Sequence, residues 1–362
     1  MSRVAIFRSR KDDRKSAILR ALSAIEGEIK LGSRILVKPN LVSTTKQLAA
    51  THVDALRGVL QFLRDRTDAE IMIGEGASMR DTFDGYRNFG YFSLVDEYGV
   101  KLIDFNRDRW IPARIFDTDL KDLEVRIART VVESDFRISV CPPKTHDVVI
   151  VTLSLKNMIV GSLIRDELGT LRTFGGLAWQ LFSTRMLKQT ASQRSVDGLA
   201  DRDSSLIARS DKMAIHCGHP AINMTLARLT PLTYPHLSVI DGTIGMEGNG
   251  PTNGTPVDLG LIITGTDFLS VDTVTARIMG FDPKEIGYLE YLRRLGMGVV
   301  DLDQIEIVGE KLESCIMPFR PHSNRISQSG WKLDEGKAGS VERAVDILRK
   351  NMPKDQPPPP PK

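Results

Sequence analysis

The chain has 362 residues, 41% of them hydrophobic and 26% charged, with 49 Lys or Arg against 46 Asp or Glu. At ~150 residues per domain this length amounts to about two domains with a sizeable core, which excludes a short scaffold and wholesale disorder. A formal charge of +3 gives no general grip on nucleic acid, and the basic excess is local: residues 1–38 hold ten Arg or Lys and four acids.

Residues 4–7 are a short apolar run, predicted as a strand, and residues 15–29 carry Ile18, Leu19, Leu22 and Ile25 at helical spacing until Gly32 stops them. The β-branched run Arg34–Lys38 is the next strand. It ends at Pro39, which has no N–H to continue pairing. A helix over 53–65 and a strand over 70–74 follow, then the loop Glu75-Gly76-Ala77-Ser78, a helix, and a strand over Lys101–Asp104. Further strands are expected at Phe136–Cys141, 237–241, 259–264 and 305–308, with helices near 270–279 and 284–295. Strands alternating with helices predict an α/β protein with a mostly parallel wound sheet flanked by helices, in one lobe or two.

The segmentation that follows is an N-terminal strand and helix over 1–33, a main α/β region over 34–312 and an extension with a helix over 313–352. The polar stretch 183–212 interrupts the main region as a surface excursion or a lid, and the proline-rich tail 353–362 is expected to be disordered.

Cys141, Cys217 and Cys315 are widely spaced and form no CxxC pair. A disulfide framework is therefore not expected and a cytoplasmic protein is; the chain by itself also lacks the four clustered thiolates of an iron–sulfur cluster. The N-terminal segment has no apolar h-region, and Lys156 and Asn157 break the stretch 148–164, so neither a signal peptide nor a membrane span is expected.

Residues with chemistry gather where strands end. Lys38-Pro39-Asn40 follows a strand, where Lys38 could hold an anion and Asn40 could donate and accept, or where both could form a solvated turn. Glu75 sits in a glycine-bearing loop that lacks the third glycine of a dinucleotide fingerprint; a carboxylate there suits proton transfer, a metal or a capped turn. Lys144 and His146 follow the strand ending at Cys141, and Lys156 with Asn157 interrupts the least polar stretch of the chain. A desolvated lysine or histidine has its pKa drawn toward neutrality, which makes it a base, a nucleophile or an anchor for an electrophilic cofactor; a snorkelling stem is the alternative for Lys156. His146 could join His216, Cys217 and His219 in a metal set, though the spacing matches no standard zinc pattern. The run from Asp241 to Pro251 holds Glu247, Gly248 and Gly250; it could wrap a ligand with backbone amides, with Asp241 and Glu247 moving protons. Asp267 is placed to cap the following helix, and Asp272 lies in that helix's first turn, serving its dipole or facing the site.

In order and spacing, Leu36-Val-Lys-Pro-Asn-Leu41, Pro143-Lys-Thr-His146, Thr152-Leu-Ser-Leu-Lys-Asn157, Asp241-Gly-Thr-Ile-Gly-Met-Glu-Gly248 with Gly250-Pro251, and Asp267 to Asp272 resemble the family catalogued as domain of unknown function 362, over about residues 34–280. The resemblance implies an association with ferredoxin-like iron–sulfur segments, and this chain has no such cysteine-rich segment of its own. More remotely, and by analogy only, a His followed by a small-residue stretch and a Lys is similar to the lysine region of lactate-racemase-like nickel-pincer proteins, in which a lysine holds the cofactor.

Two functions compete. One is an enzyme that binds a small anionic metabolite or a cofactor of unknown kind in a cleft of strand-end loops, with Lys156, His146, Asp241 and Glu247 catalytic and Lys38, Asn40, Glu75, Lys144, Asn157, Gly248 and Gly250 binding. The other is a non-catalytic accessory protein that works with a ferredoxin-like partner. No nucleic-acid or membrane partner is expected.

Overall fold

The computed structural model describes residues 2–166, 209–334 and 339–352. Most of the expected excursion over 183–212, and the tail 353–362, lie outside the described residues. Fourteen strands are present among them: β1 Ser2–Arg8, β2 Arg34–Lys38, β3 Glu70–Glu75, β4 Lys101–Asp104, β5 Trp110–Phe116, β6 Asp122–Ala128, β7 Phe136–Cys141, β8 Lys144–His146, β9 Ile150–Thr152, β10 Leu237–Gly242, β11 Gly245–Glu247, β12 Thr255–Val257, β13 Leu261–Gly265 and β14 Ile305–Gly309.

Eight of these form one sheet in the order β14-β1-β13-β10-β7-β2-β3-β4. The pairs β2–β3, β3–β4, β2–β7, β7–β10 and β1–β14 are parallel, whereas β13 runs antiparallel to both β10 and β1. The sheet is thus α/β and mostly parallel, as expected, with a single reversed strand.

The continuous apolar runs of these strands reflect burial on both faces. Side chains alternate along a strand, so Ile35 and Val37 of β2 join the core on one face while Leu36 joins a cluster on the other. The first face is covered by the helices Arg14–Ser23 and Val53–Arg64, through Ala17, Ile18, Leu22, Leu56, Val59 and Leu63. The second is covered by Ser154–Ser162, His219–Thr233, Phe268–Ile278 and Gly287–Arg294, which share a core with Val4, Ile6, Ile240 and Ile263. This is a three-layer α/β/α arrangement.

Several elements differ from the sequence expectation. The first helix ends at Ser23 and gives way to a 3-10 turn over Glu26–Glu28, well before Gly32. The hairpin β5–β6 and the small four-stranded sheet β12-β11-β8-β9 were not anticipated. In the hairpin, period-2 alternation is present: Ala113, Ile115, Val125 and Ile127 face the core, while Arg114, Glu124 and Arg126 alternate with them. The small sheet consists of three-residue strands, too short for any period to register. No helix among the described residues is long and apolar enough to cross a membrane.

Candidate functional site

Strand order reverses between β2 and β7. From β2 the chain moves outward through β3 and β4, and it then returns to place β7 and β10 on the opposite side. Loops leaving the two strands diverge at such a point and open a crevice at the carboxyl ends. Lys38 ends β2 and Glu75 ends β3 at this edge. The hairpin β8–β9 then carries the chain from β7 into the helix Ser154–Ser162, which brings Lys144, Lys156 and Asn157 to the same place.

The contacts there form one network. Lys38 Nζ uses its three protons on Glu75 Oε2 at 2.7 Å, Asn157 Oδ1 at 3.0 Å and its neighbour's carbonyl, Pro39 O, at 3.0 Å. Asn157 Oδ1 also accepts from Asn40 Nδ2 at 3.0 Å, and its own amide donates to Ser139 Oγ at 3.0 Å. Asn40 Oδ1 in turn accepts from Lys144 Nζ, which lies 3.5 Å from the carbonyl of Ala49. Glu75 Oε1 accepts from the amide of Gly76 at 2.8 Å. Five of the expected binding residues, Lys38, Asn40, Glu75, Lys144 and Asn157, therefore converge.

Lys212, in the short helix Asp211–Ala214, is a member that sequence reasoning missed. Its Nζ donates to the carbonyls of Val160, Gly161 and Leu163, the open end of the helix that carries Lys156. Nothing in the local pattern marks it, because it lies at the border of a polar stretch and meets its partners only through the fold.

Lys156 differs from the other three lysines. Its Nζ donates no hydrogen bond and forms no ion pair with any described residue, yet the residue is only 5% exposed. Burial lowers the pKa of Lys144 to about 7, of Lys156 to about 8 and of Lys212 to about 7. For Lys38 burial also acts downward, against the opposing pull of Glu75. An unpaired ammonium in such a setting is costly, so these amines are poised to lose a proton or to take up an anion.

His146 is buried within electrostatic reach of Lys156, and burial first, then the Lys156 charge, lowers its pKa to about 3 and holds it neutral. Its Nδ1 lies 3.0 Å from the amide nitrogen of Val148 and 3.0 Å from the carboxylate of Asp147. The His216 ring lies parallel to it at 6.4 Å. His219 instead pairs with the carbonyl of Val148 at 3.1 Å, and among the described residues no three His, Cys, Asp or Glu side chains converge as metal ligands.

The remaining expected residues sit elsewhere. Asp241 forms a buried ion pair with Arg14 at 2.9 Å. Together they line a cavity of about 430 Å3 with His52, Pro142 and Ala50. The cavity adjoins the lysine network through the loop whose Ala49 carbonyl faces Lys144. Glu247 accepts from the amide of Arg320 at 2.8 Å, the amide of Gly248 donates to Arg320 O at 2.7 Å and that of Gly250 to Gly248 O at 2.8 Å. The glycine loop thus spends these amides within the protein. A Cβ at Gly250 would collide with the backbone of Thr145, which accounts for the glycine there.

Fold and site together define a wound α/β protein with a closed, cation-rich centre at the switch point of its sheet. Residues 35–277 match the family described as "Domain of unknown function (DUF362)", and the chain belongs to that family. It is 21% identical over 326 residues, 87% of each chain, to a Synechocystis sp. protein named "Thylakoid-associated protein". The family match contains Lys38, Glu75, Lys144, Lys156 and Lys212; β1, β14 and the C-terminal segment lie outside it.

Proposed function

We propose that this protein is an enzyme that binds a small anionic metabolite or cofactor at the centre formed by Lys38, Lys144, Lys156 and Lys212. The observation that carries this reading is the charge balance. Four lysines are buried at the switch point, and among the described residues Glu75 is the one carboxylate hydrogen-bonded to any of them, Asp147 and Asp104 acting on Lys156 and Lys212 only from beyond contact distance. A bound anion supplies the missing negative charge, and several ammonium groups around a carboxylate or phosphate act as point-charge donors. Amines with pKa values near 7 or 8 are partly neutral at physiological pH, which suits proton transfer or nucleophilic attack. His146, Asp241 and Glu247 are assigned supporting parts: a neutral imidazole within electrostatic reach of Lys156, a carboxylate on the adjoining cavity, and a clasp for the C-terminal segment.

Titration calorimetry and thermal shift with inorganic phosphate and oxalate test the reading. Both anions are expected to raise the melting temperature, and Lys144→Met is expected to weaken binding roughly tenfold, the worth of one charge-assisted contact. No shift with either anion at millimolar concentration overturns it.

A further inference from the structure

Other buried polar atoms around the β8–β9 hairpin lack partners. Thr152 Oγ1, His216 Nδ1 and Gln328 Oε1 have no hydrogen bond to any described residue. Thr152 pairs across the hairpin with Lys144, the amide of Gln328 donates to the carbonyl of His146, and His216 stacks on His146. Native interiors satisfy the great majority of such groups, so three orphans around one hairpin, with the amine of Lys156 at the start of the next helix hydrogen-bonded to no described residue, leave hydrogen-bonding capacity there for a polar guest. The guest suggested by an amine without a hydrogen bond, beside lysines already tied to fixed acceptors that an incoming anion would recharge, is one that carries both a carbonyl and a negative charge.

We propose that Lys156 forms an imine with the carbonyl carbon of a small anionic carbonyl compound, whose acidic group is held by the neighbouring lysines. The proposal rests on the anion-binding reading above and specifies its chemistry. In the step, the Nζ lone pair attacks the carbonyl carbon and forms the C–N bond, while the C=O π pair moves to oxygen. That oxygen takes a proton given up by the nitrogen, and the hydroxyl then leaves as water as the second nitrogen proton departs and the C=N bond forms. Amine and carbonyl become imine and water with no oxidant or reductant required. His216, whose Nδ1 has no hydrogen-bond partner among the described residues and which lies within electrostatic reach of Lys156, is the group placed to carry the proton between nitrogen and oxygen.

The test incubates the full chain with pyruvate in one arm and glycolaldehyde phosphate in the other, reduces with sodium cyanoborohydride and maps the adduct by peptide mass spectrometry. Labelling of Lys156 is expected to exceed that of the average exposed lysine roughly tenfold or more at near-neutral pH, because its neutral fraction is far larger. A preference for pyruvate identifies a carboxylate ligand and a preference for the phosphate a phosphorylated one; either supports the proposal. Lys156→Met and Lys156→Arg, each checked for a cooperative melt, are expected to lose the excess label. Label spread evenly over exposed lysines, or no label, overturns the imine. If phosphate still raises the melting temperature in that case, anion binding stands without it; if phosphate does not, both readings fall.

Discussion

At the residue scale, the centre turns on how burial treats a lysine. Lys144, Lys156 and Lys212 have folded pKa values near 7, 8 and 7, against 10.5 for an ordinary lysine. Between those values the unfolded chain binds more protons than the folded one, so their contribution to stability rises as pH increases from about 7 to 10. Below about pH 7 the full penalty of charging them is present. The urea midpoint of the ligand-free protein is therefore expected to be higher at pH 9 than at pH 7, with a smaller difference in Lys144→Met. A midpoint that falls over this range, or an unchanged slope in the variant, contradicts the assignment. A bound anion raises the lysine pKa values and is expected to flatten the slope. Lys38, Lys144 and Lys156 were legible as candidates because they stand at strand ends or interrupt an apolar run. Lys212 was not, since only the fold carries it to the end of another helix.

At the element scale, the helix Ser154–Ser162 is positioned from both ends by side chains remote in sequence. No side chain of its own caps it at Leu153. Asp272, from the helix Phe268–Ile278, accepts from the amides of Ser154 at 2.8 Å and Leu155 at 3.1 Å, satisfying two of the donors that every helix start leaves open. The sequence suggested that Asp272 serves its own helix or faces the site; it serves a neighbouring helix instead. Asp267, expected as a cap, does cap its own helix through Leu269 and Ser270. Gly161 sits near the other end, where an added Cβ would meet both Lys38 Nζ and Glu75 Oε1. Helix propensity alone favours Gly161→Ala by about 0.5–1 kcal/mol. Steric overlap with a buried ion pair outweighs it, and a net loss of about 1–3 kcal/mol is expected in chemical denaturation. A stabilised variant would show that the pair moves freely.

At the scale of the whole molecule, the C-terminal segment laces the layers together. Phe319 donates its amide to Met279 O at 2.9 Å, and Arg320 exchanges hydrogen bonds with Glu247 and Gly248. Trp331 is buried against Tyr291 in an edge-to-face contact at 5.3 Å and donates to Glu285 O at 2.9 Å. Replacing such a residue leaves a large cavity, so Trp331→Ala is expected to cost about 3–5 kcal/mol. Because Gln328 on the same segment reaches His146, the variant is also expected to weaken phosphate binding. A loss below about 1 kcal/mol, with binding unchanged, would mean that the segment is peripheral to the centre.

The local pattern of residues was enough to determine the class of fold. Strands buried on both faces must be apolar throughout, and helices covering them must repeat every three to four residues, so both kinds of element are written in short windows of sequence. Strand direction and strand order are not, because a β-run reads the same whichever neighbour it pairs with; the reversal of β13 and the switch between β2 and β7 emerge only when the sheet is assembled. The site divides in the same way. Strand-end position pointed equally to Lys38, Glu75, Lys144, Asp241 and Glu247, but side-chain direction and long-range partners gathered the first three at one centre, turned Asp241 to Arg14 and bound Glu247 to the C-terminal segment.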